Sequence, residues 1–381
     1  MSYRPLSEVR KDLRVEWYRS PVDRSKLRGL SKRSDLQAWV QAGGHLLLLI
    51  GTFALTFLCW WQQNWAGFAV ALFIHGTIGS FFTGIAAHEL GHGTVFRRKG
   101  LNKSFLYLIS LLSWWDPFDY GSSHTYHHRY TQYPQADREN LSPLVPSLRW
   151  SLLLQLFTIN VFTQPGRSFA KGGLLSTIWV RFKSAFGVVG STKAPSREWL
   201  QALHEDQPAE FRKSMWFSRL QLLFHGSLLA VSIVSGLWVL SLIISYFAFT
   251  ANWLRYFTGM TQHCGLRDTV PDFRKNTRSI TLNPFVEFLY WHMNWHTEHH
   301  MYAAVPCYNL KKLAREIADD MPAPRTLFGA WKEMRDTWKR QQIEPTYEFD
   351  TQVPPPKQGG ASNPIDEFAS SIGDLAPDGL K

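Results

Sequence analysis

The chain has 381 residues, a formal net charge of +11 and three cysteines. Cys59, Cys264 and Cys307 lie far apart and form no C-x-x-C pair, which excludes a disulfide framework and a thiolate site for zinc or an iron–sulfur cluster. A basic chain can bind nucleic acid, but no groove-reading motif is present, so we expect no nucleic-acid partner.

The first segment of the chain is a basic arm. Ten Lys or Arg residues lie between Arg4 and Arg33, ahead of the first apolar run. Because Lys and Arg are enriched on the cytoplasmic side of membrane spans, residues 1–40 are predicted to be a cytoplasmic N-terminal arm. The arm is too polar to be a cleavable signal peptide, so the first span is expected to direct membrane insertion.

Four apolar runs approach the length of a membrane-crossing helix, which needs about 20 residues. Tryptophan residues lie near several ends of these runs, where amphipathic rings prefer the headgroup level. An even number of spans returns the chain to its starting side, so residues 88–218 and 261–343 are predicted to form a cytoplasmic cap. The predicted spans are 44–61, 66–87, 219–240 and 241–260.

The predicted fold class is therefore an all-α integral membrane protein, with four transmembrane helices and a cytoplasmic, histidine-rich helical cap. This domain covers residues 41–343. Two shorter apolar runs, 101–115 and 150–162, are expected to lie along the membrane interface or in the core. Residues 344–381 are rich in Pro, Gly, Ser and acidic residues and are predicted to be a disordered tail, since they cannot bury a core.

Eight of the fourteen histidines fall into three tight clusters, or boxes, next to the same predicted membrane surface. Residues three and four apart share one face of a helix, so each box can aim its imidazoles at one point. Imidazole nitrogen is a common ligand of iron, copper and zinc. The first, second and third boxes are His88-Glu-Leu-Gly-His92, His124-Thr-Tyr-His127-His128 and His296-Thr-Glu-His299-His300.

The other histidines have separate interpretations. His263 follows the fourth predicted span on the side of the boxes and is expected to be a ninth ligand. His292 lies four residues before the third box and either shares its face or is packed beside it. Two histidines lie inside spans, where ionisable groups are functional candidates, and two are expected at the surface. The span histidines are His75 and His225, and the surface histidines are His45 and His204.

Two kinds of metal chemistry are compatible with the boxes. The first box matches the H-E-x-x-H helix of zinc proteases, with Glu89 as general base, so an intramembrane zinc metalloprotease is one alternative. A catalytic zinc takes three protein ligands, however, and leaves both H-x-x-H-H boxes unexplained. Eight or nine histidines match two metal ions with four or five nitrogen ligands each, which favours oxygen activation by redox iron.

The three boxes, their order and their membrane placement resemble those of the membrane fatty acid desaturase and hydroxylase superfamily. The similar region extends from His88 to Pro306. In the acyl-CoA desaturases of that superfamily, one further histidine near the last span completes nine ligands, and His263 occupies the matching place. Those enzymes also have an Asn four residues before this histidine, where the present chain has Gly259.

The C-terminal part of the chain resembles a narrower group. It is similar to a bacterial-type subgroup that includes the desaturase of the rhizobitoxine pathway, whose substrate is a polar amino acid. That subgroup has Asn where this chain has His292. The residues that carry the resemblance are Gln262-His263, Asn276-Thr-Arg278, Asn283-Pro and the run from Phe288 to His300.

The resemblance implies a di-iron, dioxygen-dependent oxidoreductase that oxidises an unactivated C–H bond. The expected reaction is desaturation of a lipid or acyl-chain substrate, with hydroxylase or ketolase action as the alternative. Two Fe2+ ions and dioxygen as co-substrate are implied, together with nine histidines that are both catalytic and metal-binding. These histidines are His88, His92, His124, His127, His128, His263, His296, His299 and His300.

The resemblance also implies an external source of two electrons for each turnover. The 381 residues contain no dinucleotide-binding motif, cysteine cluster or haem domain. The donor is therefore expected to be a separate ferredoxin or small cytochrome b with its reductase, and a basic cytoplasmic surface suits an acidic donor. The expected location is a lipid bilayer, with several membrane crossings and the active site on the cytoplasmic side.

Overall fold

The computed structural model describes residues 4–140, 144–162, 172–189 and 197–357. The described part is mostly helical, and a short parallel pair joins strands β1 (Ile280–Thr281) and β2 (Arg325–Thr326). The helices that precede the second box are α1 (Leu6–Asp12), α2 (Arg24–Leu30), α3 (Asp35–Trp61), α4 (Trp65–Gly91) and α5 (Lys99–Leu112). The later helices are α6 (Pro117–Tyr130), α7 (Trp150–Phe157), α8 (Leu174–Ala185), α9 (Arg197–Asp206), α10 (Pro208–Val234), α11 (Trp253–Gly259), α12 (Phe273–Asn276), α13 (Pro284–Leu289), α14 (His296–Met301), α15 (Cys307–Glu316) and α16 (Leu327–Gln341).

Three helices among the described residues are long and apolar enough to cross a membrane, namely α3, α4 and α10. Helices α3 and α4 pack against each other and are joined by a turn at which the Asn64 side chain accepts a hydrogen bond from Gly67 N–H at 3.0 Å. The predicted spans 44–61 and 66–87 lie within these two helices. The third predicted span overlaps α10, which begins earlier, at Pro208, and ends at Val234.

The predicted fourth span, 241–260, is wrong as a continuous helix. The segment contains a π-helical turn at Ser241–Ser245, a 3-10 turn at Phe247–Phe249 and then the short α11. The helix breaks because its backbone has partners elsewhere in the chain. The N–H of Ala251, a residue with φ of +43°, donates to Thr158 O at 2.7 Å.

Residues 237–252, called the broken segment below, still lead from the turn between α3 and α4 to the histidine boxes. At one end, the Trp238 ring lies 5.9 Å from the Trp60 ring, next to that turn. At the other end, Asn252 lines a cavity that also contacts the histidines. The segment therefore runs alongside α4, and it approaches α4 so closely that a Cβ on Gly76 would lie 2.3 Å from Thr250 O.

Two histidines of the long helices supply hydrogen bonds to the broken segment. Non-helical backbone in an apolar environment requires such partners, because no water is present to replace the missing helical bonds. His75 Nε2 donates to Ile243 O at 2.8 Å, and His225 Nδ1 lies 2.8 Å from the Ser245 hydroxyl. The position of His75 within an apolar helix is therefore explained by the break in the neighbouring chain.

The two histidines that were expected at the surface are buried, so that prediction is wrong. His45 Nε2 donates to Ile78 O at 3.1 Å, and its Nδ1 accepts from Trp291 Nε1 at 2.9 Å. His204 Nε2 lies 2.8 Å from the Asp119 carboxylate. Each imidazole thus joins elements that are distant in sequence, which the local pattern does not reveal.

The segment that follows α16 is packed against the protein. The N–H of Phe349 donates to Gly265 O at 2.8 Å, and Thr351 is buried. The prediction of disorder is therefore wrong for residues 344–357, because their backbone finds partners in the turn that carries His263. The remainder of the predicted tail, residues 358–381, lies outside the described residues.

Candidate metal centre

The nine histidines that were predicted as ligands come from four separate places in the chain and are all buried together. The first box lies at the end of α4, just after a helix break at Thr83 and Gly84. Gly84 has φ of +73°, and a Cβ there would lie 3.1 Å from the Trp115 ring, so the break requires glycine. The second box lies on α6, the third on α14, and His263 lies in the turn after α11.

Helix α6 begins with strong capping at its N-terminus. The Asp116 carboxylate accepts from Phe118 N–H at 2.9 Å and from Asp119 N–H at 3.1 Å, and Pro117 occupies the first helical position. Both features stabilise a helix start. The box therefore lies on a fixed helix, where residues three and four apart can face neighbouring elements.

The nine histidines form two groups, in each of which candidate ligand atoms lie within 4.8 Å of one another. Each H-x-x-H-H box contributes to both groups, because its first and last histidines share one helix face and the middle one is offset. The five-histidine group contains His88, His92, His124, His128 and His299, and the four-histidine group contains His127, His263, His296 and His300.

Within each group, the Nε2 atoms face one another at short distances. His128 Nε2 lies 3.2 Å from His299 Nε2 in the five-histidine group. In the four-histidine group, His296 Nε2 lies 2.8 Å from His263 Nε2 and 3.2 Å from His300 Nε2. Several imidazole nitrogens that converge in this way can share a metal cation through their lone pairs.

The opposite ring nitrogen, Nδ1, faces an acceptor in many of these histidines. A hydrogen bond from Nδ1–H leaves the lone pair on Nε2, so these partners assign the tautomer that binds a metal through Nε2. The Nδ1 partners are Glu89 for His88 (2.9 Å), Glu139 for His124 (3.1 Å), Asp137 for His127 (2.8 Å) and Asn276 O for His263 (2.9 Å).

Burial and mutual repulsion favour the neutral form of several of these imidazoles. Burial lowers the pKa of His124, His128, His299 and His300 well below the usual value, and the neighbouring histidines lower it further. The neutral imidazole is the form that binds metal ions, since the protonated ring has no lone pair. The site is therefore prepared for a cation without first losing protons.

The carboxylates around the boxes have different charge states. Burial tends to raise the pKa of Asp137, but His127 and the N–H groups of Gln132 and Glu139 outweigh it, so the pKa is lowered. Burial raises the pKa of Glu298 to about 7, although Ser279 donates a hydrogen bond to it. The lowered pKa favours the ionised form of Asp137 behind the His127 imidazole.

The donor set fits two metal ions. Nine imidazole nitrogen donors, divided five and four, exceed the three protein ligands of a catalytic zinc site and suit iron or another mid-to-late transition metal. The buried Nε2 of His124 has no hydrogen-bond partner among the described residues, as expected for an atom that binds a metal. The site is therefore compatible with metal binding.

Asp137 and Glu139 are functional candidates that the sequence analysis missed. They hold His127 and His124 from the loop that follows α6. Histidines that bind metals commonly donate their second N–H to a carboxylate, so the Asp-x-Glu pattern shortly after the second box was the available signal. His292 lies outside both groups, and its Nδ1 is 3.3 Å from the Glu287 carboxylate near the surface.

A cavity of about 760 Å³ lies beside the two groups. Four of the histidines line it, together with polar residues of the broken segment and of the α4 break. The histidines are His88, His124, His127 and His296. A molecule in this cavity would contact the candidate metal centre directly.

Comparison with known proteins agrees with this geometry. The family model described as fatty acid desaturase matches residues 63–331, which include all three histidine boxes and His263. No curated protein matches the chain.

Proposed function

This chain belongs to the fatty acid desaturase family, and from that premise we propose that it is a di-iron, dioxygen-dependent desaturase. Membership implies an oxidoreductase, and the apolar helices support a membrane protein. The proposed reaction introduces a C=C bond into a lipid or acyl-chain substrate. The observation that carries this proposal is the division of nine buried histidines into two adjacent groups.

Iron is the proposed metal because the reaction class requires a redox-active ion. Two iron ions, when bound, supply the oxidising power for C–H cleavage with dioxygen, which zinc cannot supply. The five-histidine and four-histidine groups would each hold one ion, with all nine histidines as ligands. The Nδ1 acceptors favour such binding, since they keep the Nε2 lone pairs directed inward.

The surrounding residues would orient the ligands and exclude water. Asp137, Glu139 and Glu89 each hold one imidazole through its Nδ1 atom. All of these carboxylates are buried, so the centre is shielded from bulk solvent on that side. The cavity beside the histidines would place the substrate C–H bond next to the centre, and the rigid helices α6 and α14 would hold the geometry during turnover.

The metalloprotease alternative is weaker because of the position of Glu89. Its carboxylate contacts His88 Nδ1 at 2.9 Å, whereas His88 Nε2 faces His92 Nε2 at 3.4 Å. The carboxylate therefore lies on the outer edge of the ring, away from the point where the Nε2 atoms meet. A general base must reach the metal-bound water instead.

The membrane topology and partners follow from the same proposal. We propose four crossings, the fourth made by the broken segment 237–252, with the centre and the basic arm on the cytoplasmic side. Reporter fusions after Gln62 should then be external and fusions after Gln262 cytoplasmic. A ferredoxin or a small cytochrome b with its reductase is the proposed electron donor, and the bacterial-type subgroup that includes the rhizobitoxine-pathway desaturase is the proposed closer relationship.

The proposal is tested by metal analysis and product analysis together. Purified protein should contain close to two irons per chain by elemental mass spectrometry. Products from cells that express it should have lost two hydrogen atoms, whereas a gain of oxygen would indicate hydroxylase or ketolase action on the same scaffold. One tightly bound zinc without iron would overturn the di-iron proposal.

A further inference from the structure

Two cavities meet beside the candidate metal centre. The cavity of about 760 Å³ that contacts the histidines adjoins a second one of about 690 Å³, which extends towards α8. Both are lined by the same four residues, and these form the boundary where the cavities meet. The boundary residues are Thr83, Trp115, Tyr120 and Arg255.

Polar atoms at this boundary are buried without a protein partner. Thr83 Oγ1 and Trp115 Nε1 have no hydrogen-bond partner among the described residues, and both side chains are 7% exposed. Buried polar atoms in a folded protein are nearly always satisfied, so atoms like these indicate a missing partner. Since both residues line the cavities, a bound molecule is the partner that could reach them.

A cation is present at the same boundary. Arg255 lies on α11, and its guanidinium is 3.5 Å from the carbonyl oxygen of Thr83, which places its charge beside the α4 break. The acidic residues that line the two cavities contact donors of their own. These pairs are Asp116 with Arg181, Asp119 with His204, and Glu139 with Ser123.

We infer that the substrate carries a free carboxylate, which Arg255, Trp115 and Thr83 bind at this boundary. An indole N–H, a threonine hydroxyl and a guanidinium are all donors, and a carboxylate is an acceptor-only anion that can use them together. A thioester or an ester offers only a neutral carbonyl to the same donors. The inference rests on the proposed function, because it identifies the cavity beside the histidines as the substrate site.

The position of the boundary also limits the substrate. The cavity that contacts His88, His124 and His296 contains the boundary residues as well. The oxidised carbon would therefore lie within the length of one cavity from the carboxylate. Arg255, Trp115 and Thr83 would then determine which acid is accepted and how its chain is oriented.

The inference is tested by ligand binding to the purified full chain, without turnover. Octanoate is a carboxylate with an apolar chain, and 5-hydroxypentanoate is a carboxylate with a polar chain. The primary amide of each acid is the matched neutral probe. At least one acid should bind about tenfold more tightly than its amide, as expected for a charge-assisted contact. The acid that binds better shows whether the carboxylate belongs to an apolar or a polar chain.

Substitutions locate the contact. Arg255→Gln should abolish the preference for acid over amide, and Arg255→Lys should retain part of it because the charge remains. Trp115→Phe should weaken acid binding severalfold, because it removes the indole N–H together with part of the ring. Arg149→Gln, at an exposed arginine that lines neither cavity, is the matched control and should leave the preference unchanged.

Equal binding of acid and amide by the wild-type protein would overturn the inference, and this comparison needs no variant to fold. An acid preference that survives in a folded Arg255→Gln protein would overturn it as well. Metal content and oxidation are measured separately. A protein without iron that still prefers the acid would overturn the proposed function and leave the carboxylate site supported.

Discussion

The histidines of the metal centre and those of the membrane helices are similarly buried but have different partners. His128 Nε2 faces His299 Nε2 at 3.2 Å. By contrast, His75 Nε2 donates to Ile243 O at 2.8 Å, and its Nδ1 lies 2.9 Å from the Thr52 hydroxyl. A buried histidine is therefore a candidate ligand when ring nitrogens converge, and a structural residue when each nitrogen has its own partner.

The largest loss of iron and activity should come from replacing a histidine of the five-histidine group. His128→Ala removes a ring that faces His299 and stacks on His300, whose ring centroid is 4.4 Å away, so it touches both groups. We expect at least one iron per chain to be lost and activity to fall below detection. Elemental mass spectrometry on folded, monodisperse protein measures the iron, and full iron occupancy would contradict the assignment.

A smaller effect on metal binding is expected at Asp137, which contacts His127 of the four-histidine group. Asp137 Oδ2 accepts from both His127 Nδ1 and Gln132 N–H at 2.8 Å. Asp137→Asn removes the charge. If the amide oxygen replaces Oδ2, the amide NH2 opposes Glu139 N–H, which donates to Asp137 Oδ1 at 3.0 Å; in the reverse orientation the NH2 opposes His127 and Gln132. We therefore expect metal affinity to fall close to 100-fold, the upper part of the usual 10–100-fold range. Metal competition titrations measure the affinity. An unchanged affinity would show that Asp137 does not orient the ligand.

Glu89→Gln should disturb the metal centre less than Asp137→Asn. The amide oxygen can still accept from His88 Nδ1. Glu89 Oε2 has no hydrogen-bond partner among the described residues, so an amide NH2 in its place would oppose no donor. We expect metal to stay bound and activity to fall about tenfold, the lower part of the same range. Activity and metal content are measured on one preparation. Complete loss of turnover with full metal content would instead favour the protease reading, in which Glu89 is the general base.

The smallest effect on the metal centre should come from a membrane-helix histidine. His75→Ala leaves the carbonyl of Ile243 without its donor in apolar surroundings, which we expect to cost about 1–3 kcal/mol of stability. Thermal unfolding in detergent measures this loss. The ratio of iron to folded protein should equal that of the wild type. A lower ratio of iron to folded protein would contradict the distinction between histidines that bind metal and histidines that are structural.

Much of the site could be predicted from local sequence because its signals are short-range. The spacing within each box places its first and last histidines on one face of a helix, and the apolar runs of α3 and α4 indicate membrane helices from length and composition. The nine histidines of the prediction are those that the structure brings together. None of these inferences needs knowledge of how the helices pack.

Only the tertiary structure determined how these parts are combined. Which histidines of different boxes meet in one group depends on how the elements that carry them pack together. The fourth apolar run breaks because Thr158 and His75 supply hydrogen bonds from distant positions, and a hydropathy pattern contains no such information. The physical reason is the range of the interaction: helical periodicity is encoded within a few residues, whereas hydrogen-bond partners across helices are set by the packing of the whole chain.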